Sequence, residues 1–239
     1  MLAEKHWDMN RVGWLFLGLV LTFCVGMLPI SLLDRVTAWS KDERDFSQLL
    51  AGALLSQTAA FFWIRAFLQQ HACEWKEAFG WKLSETPAVI GYGALAGALF
   101  LPVAFGLQWL CETLMVLLHS QPQAQAAVEA IQNPALPLAG KVAFGFDAIL
   151  LAPLAEESLF RGILYPAIKY LGYPRMALWF TSLLFGFLHF NAPTFVPLLA
   201  FGLLLAALYE RFGNLMAPVA AHSLFNTANL VILMVSNGK

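Results

Sequence analysis

The sequence predicts an all-α fold, a polytopic membrane helix bundle of about seven transmembrane helices, and three observations predict it. Of 239 residues, 59% are hydrophobic and only 12% charged, with a mean hydropathy of +0.67; a soluble domain carries about 25% charge. The apolar residues fall in runs near the ~20 residues that a membrane-spanning helix needs. Short polar connectors separate the runs, as in Lys41-Asp42-Glu43-Arg44. The lipid bilayer is therefore an expected partner. A net charge of -1 offers no basic patch and excludes nucleic acid as one.

The first run, 13–33, is too long for the apolar core of a secretory signal peptide and reads as a retained span. Runs 47–68 and 88–118 follow, parted by a connector holding Glu74, Lys76, Glu77 and Lys82. Residues 120–134 read as a surface loop or interfacial helix. The fourth run, 142–171, contains Pro153, which should kink it just before Glu156. Runs 175–190, 194–209 and 214–235 complete the set. The third and fourth exceed one bilayer thickness, so each is expected to be tilted, broken or protruding.

Trp7, Trp14, Trp39, Trp63, Trp75 and Trp81 lie near span ends, as an aromatic belt would. Cys24, Cys73 and Cys111 are widely spaced and odd in number, and read as packing residues. With the N-terminus inside, nine lysines and arginines (Lys5 among them) fall on the inner side and five (Arg35 and Lys239 among them) on the outer. That asymmetry predicts a cytoplasmic N-terminus. Residues 1–141 are expected to form N-terminal membrane helices and loops, and 142–239 a four-helix core of the same membrane domain.

Ionisable groups inside lipid are expensive and usually mark chemistry or transport. Glu156 and Glu157 sit mid-run, with Arg161 four residues after the second. In a helix, Glu157 and Arg161 share a face in the favourable acid-before-base order, so they are expected to neutralise each other. Glu156 points about 100° away and lacks that partner. It is an acid able to take a proton from water and return it. Phe185 and His189 share a face of the fifth run, where Gly186 allows a neighbouring backbone close. At about 1.5 Å per residue, Glu156 and His189 lie equally far from the hairpin turn near 171–175 and should meet at one level. His222 and Asn226, again four apart, share a face of the last run and supply donors for a developing oxyanion. Glu112 and Asp147 are further intramembrane acids. Asp147 stands nine residues before Glu156, about 180° around an ideal helix, and is expected to face elsewhere and bond a neighbouring helix.

Glu-Glu-x-x-x-Arg, then Phe-x-x-x-His, then His-x-x-x-Asn, on successive membrane helices, resembles the CPBP family. Its members are CAAX prenyl proteases and bacteriocin-processing enzymes, also called the Abi family, glutamate-type intramembrane proteases. The resemblance covers roughly 142–235. It implies an intramembrane endopeptidase of multi-pass topology, in a bacterial inner membrane, that cuts a membrane-anchored peptide or protein. By the same resemblance Glu156 is the general base and His189 positions the water. His222 and Asn226 bind the oxyanion, while Glu157, Arg161 and Phe185 support them. No cofactor is expected. The alternative is zinc on Glu156, His189 and His222, though no His-Glu-x-x-His motif is present. Two rival functions stay open at this point: a non-cleaving peptide-binding or bacteriocin-immunity membrane protein, and a proton-coupled transporter.

Overall fold

The structure is a computed structural model describing residues 6–37, 39–82 and 84–236, the side chains of 33–36 and 236 excepted. Lys5, Lys239 and the side chain of Arg35, used in the charge asymmetry, lie outside the described residues. In chain order the helices are α1 (Met9–Val36), α2 (Lys41–Gln70), α3 (Trp75–Phe79), α4 (Thr86–Leu117) and α5 (Ala126–Gln132). Then come a long α6 (Leu138–Tyr170), α7 (Pro174–Phe187), α8 (Ala192–Phe212) and α9 (Met216–Ser236). Six of these are long and apolar enough to cross a membrane: α1, α2, α4, α6, α8 and α9. The protein is an all-α, multi-pass integral membrane protein.

The expected seventh span falls short. α7 has 14 residues, about 21 Å at 1.5 Å per residue, against a hydrocarbon core of about 30 Å. Pro174 starts it, and it ends before a left-handed Phe190 at φ 47°. Asn191 then caps α8, its side chain accepting from Thr194 N at 3.2 Å.

Local chemistry explains the other boundaries. Ser40 and Glu43 form a reciprocal capping box at the start of α2. Gly80 ends α3 at φ 68°, and a Cβ there would stand 1.9 Å from Gly213 O. The expected kink at Pro153 takes the form of a π turn, Asp147–Leu151, and a second π turn, Ser158–Leu164, follows the glutamates. Proline cannot donate into the ladder, so the helix widens on its N-terminal side.

α4 packs along α8 and α9, α7 lies against α8, and α2 touches both ends of the first π turn. Gly93 and Gly97 of α4 press on the backbone of Ala217 and Ala221 in α9. Gly186 does admit a backbone: its Cβ would lie 3.1 Å from Phe195 O. Within 120–134, residues Ala126–Gln132 form the short helix α5, whose Ile131 is buried. Trp7 departs from the aromatic belt, being 6% exposed and inside the core. Cys24 departs from the packing role and is exposed on α1.

Candidate active site

Glu157 and Arg161 are both fully buried and paired, Arg161 Nη1 donating to Glu157 Oε1 at 2.9 Å. Arg161 Nη2 donates to Gly202 O at 3.1 Å, and the guanidinium lies 4.6 Å from the Phe185 ring centroid. Gly202 leaves room for this: a Cβ there would sit 3.3 Å from Nη2.

The same Glu157 Oε1 lies 3.0 Å from His222 Nδ1. A carboxylate only accepts, so Nδ1 carries the hydrogen. The other ring nitrogen, Nε2, then faces Glu156 Oε2 at 4.0 Å. Glu156 is partly exposed, and its Oε2 has no hydrogen-bond partner. His222 thus joins the two adjacent glutamates, a link that no spacing in the sequence encodes.

Phe185 touches both imidazoles, with ring centroids 4.9 Å from His189 and 5.6 Å from His222. His189 Nδ1 pairs with Phe185 O at 2.7 Å. A carbonyl also only accepts, which leaves Nε2 of the neutral ring as an acceptor. His189 therefore reaches the glutamates through Phe185 and His222 rather than by a direct bond.

Asn226 Nδ2 donates to Ala148 O at 2.7 Å. The reason lies in the π turn. Ala152 N bonds Asp147 O, five residues back, and residue 153 is proline, so neither supplies Ala148 O. The Asn226 amide fills the gap and keeps a second N–H. Near the second π turn another carbonyl takes a donor from outside the helix. Pro166 has no N–H to give Gly162 O, and Trp7 Nε1 donates to it at 3.0 Å. Sequence reasoning missed Trp7; the proline four residues past Gly162 is the signal that could have raised the question.

Asp147 corrects an expectation. It bonds a neighbouring helix as expected, through Gln57 of α2, but it is 2% exposed and within electrostatic reach of Glu156 rather than turned away from it. Each extra residue in a turn moves the helix register by about 100°, which is why the ideal-helix angle misplaced it. Glu112, the other acid, pairs with Gln108 at 2.8 Å on α4. Among the described residues no three His, Cys, Asp or Glu side chains are gathered as metal ligands.

Residues 138–228 match the sequence profile of the family described as "Rce1-like: Type II CAAX prenyl endopeptidase Rce1-like". A relative described as "Uncharacterized protein YpbD" of Bacillus subtilis (strain 168) is 40% identical over 77 residues. That match covers 30% of this chain and only 36% of the relative's length. No solved structure matches. From α6 through most of α9 the chain is therefore similar to the type II CAAX prenyl endopeptidase, Rce1-like family, the family that its glutamate, histidine and asparagine motifs resemble.

Proposed function

We propose that the protein is an intramembrane endopeptidase that hydrolyses a peptide bond of a membrane-associated substrate without a metal. One observation carries this reading. His222 is held by Glu157 on one side while its other nitrogen faces the unpartnered carboxylate oxygen of Glu156, 4.0 Å away.

Glu156 accepts a proton from water, and the water's second hydrogen is directed to the free Nε2 of His189. The oxygen lone pair then attacks the scissile carbonyl. The tetrahedral oxyanion takes a hydrogen bond from His222 Nε2, whose protonated ring is stabilised by Glu157 at Nδ1, and another from the second N–H of Asn226. The C–N bond breaks as Glu156 returns its proton to the leaving amine. The lysine and arginine asymmetry supports an N-terminus on the cytoplasmic side of the membrane.

Reconstitution with candidate membrane peptides tests the reading. Cleavage is expected, and Glu156→Gln should lower kcat by at least about a hundredfold. Peptide uptake driven by a pH gradient, with no new terminus in mass spectra, would make the protein a transporter instead.

A further inference from the structure

A groove of about 500 Å³ opens between the C-terminal end of α2, where that span leaves the membrane, and α3. Arg65 and Lys76 line it, together with Gln69, Glu74 and Trp75. Both basic side chains are exposed, and neither has an acidic partner among the described residues. Three other cations at this end of the bundle do: Arg11 with Asp8, Lys82 with Glu85, and Lys169 with Glu210.

Arg65 stands five residues before Gln70, the last of α2, about 7–8 Å short of the helix end. A guanidinium at that depth borders lipid, and its methylene stem lets the charged head rise to the level of the phosphates. Phe62 lies one turn deeper on the same face and is 63% exposed, an apolar surface directly beneath the groove. Trp75 adds an indole, a ring that settles where lipid meets water. Its wall is fixed in place. Phe79, on the same short helix, packs so closely on Gly162 of α6 that a Cβ there would strike its ring, and its carbonyl accepts from Leu215 N at 2.9 Å. The lining carries two positive charges against one negative, so the ligand it fits is an anion.

We propose that this groove binds the headgroup of an anionic phospholipid, with the phosphate between Arg65 and Lys76. Glu74 and Gln69 accept hydrogen bonds from headgroup hydroxyls, and an acyl chain runs down the Phe62 face of α2. A zwitterionic headgroup leaves the excess charge of the groove unmatched, and a free phosphate ester has no chain for the apolar face. Neither the site nor its test depends on peptidase activity.

Native mass spectrometry of the delipidated full chain in neutral detergent counts bound lipid as phosphatidylglycerol is titrated in. Saturable binding is expected, at least about tenfold tighter than that of phosphatidylcholine or phosphatidylethanolamine. Neutralising both cations, Arg65→Gln with Lys76→Gln, should weaken it by about thirtyfold. Where that double variant fails to fold, Lys76→Gln alone should weaken it by about fivefold. Arg175→Gln with Arg211→Gln removes the same charge from exposed residues at the same end of the bundle, outside the groove. That control should weaken binding by less than about twofold. Equal losses in the two double variants would reduce the effect to diffuse surface charge and overturn the site. A zwitterionic lipid held as tightly as phosphatidylglycerol overturns it too. Glycerol 3-phosphate displacing the lipid at equal concentration would make the ligand a soluble phosphate ester instead.

Discussion

Arg161 divides its guanidinium between two helices, Nη1 to Glu157 on its own and Nη2 to Gly202 O on α8, with Phe185 against its face. An ammonium is a single point charge and cannot serve both acceptors in this geometry. Arg161→Lys is therefore expected to cost about 1–3 kcal/mol. Arg161→Ala strands a buried carboxylate and should cost about 3–5 kcal/mol. Thermal unfolding in detergent measures both, and a cost below about 1 kcal/mol for alanine would show Glu157 satisfied without its partner. This pair was readable in the sequence, because a four-residue spacing in acid-before-base order has one meaning on a helix. The bond from His222 to Glu157 was not. Two adjacent glutamates point to different faces, and nothing in the chain says which of them an imidazole 65 residues later will meet.

The π turns of α6 set the register of the glutamates, and each depends on a side chain from elsewhere. Pro153 and Pro166 were visible, and a disturbance of the helix followed from them. Its form was not, since widening a turn requires a donor for the stranded carbonyl, and the donors sit far away in Asn226 and Trp7. The same limit explains Asp147, which an ideal 3.6-residue turn sends to the wrong side. Trp7→Phe keeps the ring packed on Phe67 but removes the N–H from Gly162 O. It should cost about 1–3 kcal/mol, the penalty of an unpaired buried carbonyl. Pro166→Ala restores a backbone N–H four residues after Gly162. In the double variant the cost of losing the indole N–H should shrink by more than half, a coupling that a double-mutant cycle of unfolding free energies reads directly. Additive costs would mean that the indole acts by packing alone.

Across the whole molecule, the N-terminal helices pack against the part of the chain that matches the Rce1-like profile. Their apolar runs were legible as spans, but their purpose was not, because helix packing in lipid leaves a weak trace of small residues among many others. α4 shows the trace once its partner is known. A Cβ on Gly97 would lie 2.6 Å from Ala221 O, well inside ordinary contact, and the obstacle is backbone rather than a flexible side chain. Ala221 directly precedes His222, so α9 must shift to admit even a methyl group. Gly106, on the same helix, has nothing within 4 Å of its Cβ position. The two glycines make a matched pair. Gly106→Ala should stabilise by about 0.5–1 kcal/mol through reduced backbone entropy and leave turnover unchanged. Gly97→Ala gains the same propensity and should nevertheless lose activity by about a hundredfold, the penalty of displacing a working group by about 1 Å. Unfolding midpoints and kcat on a cleavable membrane peptide separate the two effects. A Gly97→Ala protein as active as the Gly106→Ala control would show that α4 merely fills space beside α9 and does not set the position of His222.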